Sequence, residues 1–238
     1  MEVGEFFNKN HDFYNQNLLK YDYEFMEFIK NENNHEFSVL DIGGGNGNFS
    51  KLLIQNCPNV DITILDPSEM LLSRINDPKI NKIIGKLPDD IPLNSKFDFI
   101  HIKEVIHHIT GNTVFESKYR VKKSLNILKT LLNDNGIILI HEIYYEGFLI
   151  PEFPNYLIFY LLKFQNMVNA KIPIKEFILG LYIYFYTREE LKTMLNECGF
   201  QIIDYKVEKF SNNIQKKFML LKDWGRILII AKLSEDEK

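Results

Sequence analysis

The amino-acid sequence predicts a three-layer, doubly wound α/β fold: a mostly parallel seven-stranded sheet with amino-terminal helices and a helical lid inserted between strands five and six. Three observations carry this reading. Short runs of strand formers alternate with segments of helical period from Phe37 to Ile143, and such alternation implies a parallel sheet covered on both faces. A glycine cluster, Gly43 to Gly47, closes the first run where a buried strand turns into a helix. A chain of 238 residues, 45% of them hydrophobic, is large enough to bury one such core, so residues 1–238 are read as a single domain.

Between Glu5 and Asn31, Phe6, Phe13, Leu18, Tyr21, Phe25 and Phe28 recur at roughly helical spacing, which predicts one or two amphipathic helices, a cap over residues 1–34. Phe37 to Ile42 is the first strand, Phe49 to Gln55 a helix and Ile62 to Leu65 the second strand, after which Ser68 caps a helix through Ile75. Lys82 to Ile84 and Phe97 to Ile102 read as strands three and four. Glu116 to Leu132 is a helix and Ile137 to Ile143 the fifth strand, with Asn133 to Gly136 as helix stop and turn. Residues 144–186 interrupt this rhythm with 13 aromatics and with Pro151, Pro154 and Pro173, which predicts an inserted helical lid. Thr187 and Glu190 then form a capping box, and Gly199 stands where that helix ends. Gln201 to Val207 and Arg226 to Leu233 complete the strands, and the acidic tail beyond Leu233 is expected to fray.

A formal charge of −4 gives no long-range attraction for nucleic acid phosphates, although Lys216, Lys217 and Lys222 make a local basic patch. A nucleic acid substrate is disfavoured. Cys57 and Cys198 are too few and too far apart for a disulfide framework or a zinc site, and suit a reducing cytoplasm as buried thiols. No metal site is expected. The start of the chain lacks the basic and apolar pattern of a signal peptide. The longest apolar run, Phe177 to Tyr186, is about half of the ~20 residues a membrane span requires. A cytoplasmic monomer or homodimer is the expectation.

The residues that carry chemistry begin at Asp41 and run through Gly43, Gly44, Gly45, Asn46 and Gly47. Glycines let a ligand approach the backbone, and the helix that follows offers unpaired amide donors. A second acid, Asp66, ends the next strand, where a carboxylate can accept both hydroxyls of a ribose. Together they imply a nucleoside ligand. A dinucleotide fingerprint needs glycine or alanine at position 48, and Asn48 stands there, so a pyrophosphate cofactor is the weaker reading.

From Phe37 to Tyr145, and again from Thr187 to Phe200, the chain resembles class I (Rossmann-like) S-adenosylmethionine-dependent methyltransferases, in particular the small-molecule group that includes ubiquinone and menaquinone methyltransferases. The resemblance implies that the last strand is antiparallel. It implies that Asp41 and the loop Gly43 to Gly47 hold the methionine part of the cofactor, that Asp66 binds its ribose, and that Pro67 and Met70 flank the adenine. It aligns Phe97 to Ile100 with the family's fourth strand and Val105 to Ile109 with the segment beside the reacting methyl group. After Gly85 the family usually has an acid; this chain has Lys86, so adenine recognition passes to backbone groups near Lys86 and Leu87. Lys103 joins the cofactor-binding candidates at the end of the fourth strand, although Lys103 and Glu104 also read as solvated loop residues.

His107 and His108 are the catalytic candidates. They follow the fourth strand, where one can deprotonate an acceptor or both can line the pocket without proton transfer. His141 and Glu142 end the fifth strand at the same edge. The function implied is methylation of a small, partly apolar or aromatic molecule, with S-adenosylhomocysteine as the product. Three other readings share the fold: a nicotinamide-dependent oxidoreductase, another transfer from the same cofactor, and a non-catalytic partner subunit of a methyltransferase. Cofactor binding separates the first, and the intact glycine loop with Asp66 weighs against the third.

Overall fold

The structure is a computed structural model, and it describes residues 3–11, 17–32, 36–92, 94–169, 179–211 and 219–235. Phe13 of the expected amino-terminal helix, Pro173 and Phe177 of the insert, Lys216 and Lys217 of the basic patch, and the end of the acidic tail lie outside these residues.

The strands β1 (Phe37–Ile42), β2 (Val60–Asp66), β3 (Ile80–Ile84), β4 (Phe97–Lys103), β5 (Leu132–Gly147), β6 (Phe200–Lys209) and β7 (Leu221–Leu233) form one sheet in the order β3-β2-β1-β4-β5-β7-β6. Pairings among the first five are parallel, and β7 runs antiparallel to both β5 and β6. The chain therefore starts in mid-sheet, steps outward to β3 and returns past β1 to β4. That reversal opens a crevice at the carboxyl ends of β1 and β4, where open sheets of this kind bind ligands.

Strand alternation builds the three layers. On one face Leu40, Ile42, Ile100, Ile102, Ile138 and Ile140 pack with α5 (Val114–Leu131) and α7 (Arg188–Glu197). On the other, Val39, Ile62, Ile64, Phe99 and Leu139 pack with α2 (Lys20–Glu32) and α3 (Asn48–Asn56). The remaining helices are α1 (Val3–Asn10), α4 (Glu69–Leu72) and α6 (Phe153–Val168). The amino-terminal cap thus holds two helices. The capping box is present: Thr187 Oγ1 accepts from the Glu190 amide at 3.1 Å, and Glu190 Oε2 accepts from the Thr187 amide at 2.8 Å. No helix among the described residues is long and apolar enough to cross a membrane.

Three local readings change. The helix capped by Ser68 is a single turn, because from Leu72 the chain tightens into three-residue bonds, Arg74 N to Leu71 O and Ile75 N to Leu72 O. The Asn133–Gly136 run is a bulge: Leu132 already pairs with Phe97 and Ile137 with Phe99, so the residues between leave the ladder. Asn133 Nδ2 holds that bulge by donating to Asp98 Oδ1 at 2.6 Å. Most importantly, the insert is not wholly helical. Tyr144 to Gly147 extend β5, α6 follows, and residues 181–186 return as an extended segment bridged to Tyr144 through Tyr186.

Candidate active site

At the end of β1 the chain must turn sharply under helix α3, and Gly43, Gly45 and Gly47 all adopt positive φ (69°, 55° and 74°) to do so. Gly44 has no room for a side chain, since a Cβ would stand 2.6 Å from Asp41 Oδ2. Asp41 lies beneath this loop and is buried. Its Oδ1 accepts from His101 Nδ1 at 2.8 Å and its Oδ2 from Ser50 Oγ at 2.9 Å, so the carboxylate braces the turn from within.

Asp66 closes the same loop from β2. Its Oδ2 accepts from the Gly45 amide at 2.9 Å and its Oδ1 from the Ser68 amide at 2.8 Å. Burial pushes its pKa up to about 6; the two amides oppose that shift, and the nearby Asp41 adds to it. Each oxygen keeps a lone pair for a further donor. That is the unfilled capacity a pair of ribose hydroxyls would take.

A cavity of about 540 Å³ begins at this loop, with Gly43, Gly45, Asp66, Pro67, Lys86 and Leu87 on its wall. Lys86 N and O are both bonded to Asp90, at 2.8 and 2.9 Å, so the Lys86 amide N–H is closed to a ligand. The cavity continues to His107 and His108 and ends against Tyr145, Ile183, Phe185 and Trp224. Helix α1 shuts one side: Val3 and Phe7 line the cavity, and Asn8 Oδ1 accepts from Ser68 Oγ and the Met70 amide.

The two histidines occupy a 3-10 turn (Ile106–His108) and differ in kind. His107 Nδ1 lies 2.6 Å from Glu142 Oε1. Glu142 is fully buried and also accepts from the amides of Ile106, at 2.8 Å, and Ile143, at 2.7 Å. Burial alone would depress the His107 pKa; the charge and hydrogen bond of Glu142 outweigh it and raise the value above its ordinary range. His108 has no such partner, and burial beside His107 drives it well below the ordinary range, so it is neutral. His141, one residue along β5, faces the opposite side of the sheet against Tyr21, where burial lowers its pKa to about 3.

Several expected cofactor residues stand off the cavity wall. Asp41 and Gly44 are in the turn's interior, Asn46 and Gly47 lead into α3, and Met70 sits outside the cavity under Asn8. Lys103 is buried: its ammonium meets Asp22 Oδ2 at 2.6 Å and Asn17 O at 3.1 Å, which ties α2 to β4. Glu104 is also no solvated loop residue, for it lines the cavity and binds Arg226 Nε at 3.0 Å. The residues that sequence reasoning missed are Phe7, Trp224 and Arg226, which reach the wall from α1 and β7, far away in the chain. Glu142 was in view as a residue of the edge, but no local signal pairs it with His107.

Residues 14–205 match the family model described as a methyltransferase domain. The match spans most of the chain, and the protein belongs to that family. An uncharacterized methyltransferase of Staphylococcus carnosus is 24% identical over 179 residues, covering 74% of this chain and 76% of the relative. A SAM-dependent methyltransferase of Methanosarcina mazei superposes with a TM-score of 0.62 at 17% identity, covering 92% of this chain and all (100%) of that one. Magnesium protoporphyrin IX methyltransferase of Synechocystis, solved with bound SAH, superposes with a TM-score of 0.61 at 14% identity over 97% of each chain. These are the class I, Rossmann-like fold of SAM-dependent methyltransferases.

Proposed function

We propose that the protein transfers the methyl group of S-adenosylmethionine to a hydroxyl or other proton-bearing group on a small, partly apolar molecule, with His107 as the base. The observation that carries this reading is the continuity of one cavity, from Asp66 and the glycine loop, past His107, to a wall of Tyr145, Phe185 and Trp224. The cofactor, when bound, supplies an electrophilic methyl group on a positively charged sulfur. Gly43 and Gly45 give it close access to the backbone, Asp66 accepts its ribose hydroxyls, and Pro67 with Leu87 borders its base. The Leu87 amide has no partner among the described residues and can donate to adenine N1, a contact different from that of the family's acid, which accepts from the amino group.

His107 holds its Nδ1 on Glu142, which leaves Nε2 to take a proton from the acceptor and lets the carboxylate stabilise the imidazolium that forms. Neutral His108 and the aromatic wall exclude water and orient the acceptor. Rings stacked in series, His107 on Phe185 and Phe185 on Tyr145, favour an acceptor with a flat apolar body. The small-molecule acceptor and a cytoplasmic location belong to the same proposal.

The test is a methyl-transfer assay with labelled cofactor across phenols, quinols, fatty acids and polar metabolites, paired with calorimetry of cofactor binding. Transfer to aromatic hydroxyls that disappears in His107→Ala, with cofactor affinity preserved, supports the reading. Acceptors that are uniformly polar would overturn the apolar-wall argument.

A further inference from the structure

Helix α6 presents an anomaly that the site does not use. Its inner face, with Ile158, Phe159 and Leu162, is buried against the sheet and the extended segment. Its outer face is also apolar: Phe153, Tyr156, Leu157, Tyr160, Leu161 and Phe164 recur at helical spacing and are 37% to 57% exposed. The loop before it adds Phe148 and Leu149, the latter 96% exposed. A helix that is hydrophobic all round belongs inside a structure. At about 150–250 Å² for a large side chain, this face leaves on the order of 650–1,100 Å² bare among the described residues. Monomers rarely expose an apolar patch beyond about 300–600 Å², and a stable interface buries about 800 Å² on each partner.

We propose that this face is covered by a second copy of the chain, with the two α6 helices antiparallel across a two-fold axis. The charges decide the occupant. The only charged residues on α6 and its cap are Glu152, at the amino end, and Lys163, near the carboxyl end. An antiparallel pair centred beside Leu157 sets Glu152 of each copy opposite Lys163 of the other and opposes the helix dipoles favourably. An anionic bilayer needs unpaired cations around an apolar face, but on the neighbouring α5 Lys118 is paired with Glu190 and Lys122 with Glu197, while Arg120 and Lys123 share Asp89. A cleft of about 680 Å³ between Phe153, Tyr160 and Lys118 opens on the same face and accepts side chains from the second helix.

Sedimentation velocity of the full chain across the micromolar range is expected to show a dimer, and Leu157→Glu to weaken it by ~30-fold or more, since it sets two like charges at the centre of the interface. Retained cofactor-induced thermal stabilisation in Leu157→Glu shows that the variant is folded. As a second measurement, Leu157→Cys should cross-link between copies with a short bismaleimide. Its background is low because Cys57 and Cys198 are buried. A wild-type protein that sediments as a monomer, a Leu157→Glu dimer as tight as wild type, or α6-dependent flotation with anionic or zwitterionic vesicles would each overturn the proposal.

Discussion

The two ends of the cavity are held by different physics. At the Asp66 end, nearly every constraint is a directed hydrogen bond or a backbone dihedral: three glycines at positive φ, a carboxylate bonded to two amides, and Asp41 bracing the turn from below. At the far end, Tyr145, Phe185, Ile183 and Trp224 are held by ring contacts and burial, as with the Tyr145 to Phe185 stack at 4.2 Å. Directed bonds fix atoms to within tenths of an ångström and suit a ligand of constant structure. Apolar contacts are non-directional and tolerate substitution by residues of similar volume, so that end can change shape without disturbing the other. His107 stands between them and borrows its precision from Glu142.

The contrast is broken most directly by Gly45→Val. Position 45 has φ of 55°, which a β-branched residue does not adopt without strain, and its amide bonds Asp66. Cofactor binding measured by calorimetry is expected to vanish, on the order of 100-fold or more. A folded Gly45→Val protein with wild-type affinity would mean that the loop is only a turn. At the hinge of the two ends, His107→Ala should lower kcat by about 10²–10⁴-fold while leaving the cofactor dissociation constant within a few-fold. Because Glu142 raises the His107 pKa, the wild-type rate should climb with pH through a value above 6.5, and Glu142→Gln should move that limb to lower pH. An unmoved limb would mean that the pair is structural.

Asp66 offers a smaller and more graded test. Its folded pKa of about 6 stands above the ordinary 3.8, so the native state holds a proton that the unfolded chain has already lost. Stability from this group is full below pH 3.8 and falls as pH rises through about 6, by on the order of 3 kcal/mol. Asp66→Asn should flatten that part of the denaturation profile. Ribose hydroxyls donate best to the ionised carboxylate, so wild-type affinity for the cofactor should decline as pH falls below about 6. The variant should bind about 1.5–3 kcal/mol more weakly at neutral pH. Equal affinity would remove Asp66 from the ribose site.

These regions also differ in how far they are legible without coordinates. Val39 to Asn48 is one strand, one turn and one helix start, consecutive in the chain, and Asp66 follows one crossover later; local rules suffice for them. The antiparallel β7 is what the family resemblance implies, and the topology matches it, whereas the mid-sheet start is seen only in the strand order. The apolar wall gathers α1, the 3-10 turn, the end of β5, residues 181–185 and β7, and no local pattern encodes that meeting. The insert, whose helix α6 is present, is legible only in part for a related reason. Its proline and aromatic content resembles helices of a lid, but the part that meets the cavity is extended and paired through Tyr186 to Tyr144, while the true helix turns an apolar face outward. Lys103 misled because charge was read as exposure; the partner that buries it, Asp22, is 81 residues away in the chain.

Lys86 gives the finest test of the comparison, because it stands at the directed end and departs from the family. Were adenine read there by a side chain, replacing this lysine with alanine would change cofactor affinity by the worth of a hydrogen bond, about 1 kcal/mol. The structure supports a different arrangement. Lys86 N and O form a two-bond bridge with Asp90, which fixes the turn and sets Leu87 on the cavity wall whatever side chain stands at 86. Lys86→Ala keeps that bridge and should shift the dissociation constant by no more than about two-fold, within the few tenths of a kcal/mol typical of surface substitutions. Asp90→Pro removes the amide that donates to Lys86 O, and should weaken binding more than the lysine substitution does, with inosine-containing cofactor analogues losing their handicap against the adenine form. A larger loss from Lys86→Ala than from Asp90→Pro would return adenine recognition to the side chain and erase the distinction between the two ends at this position.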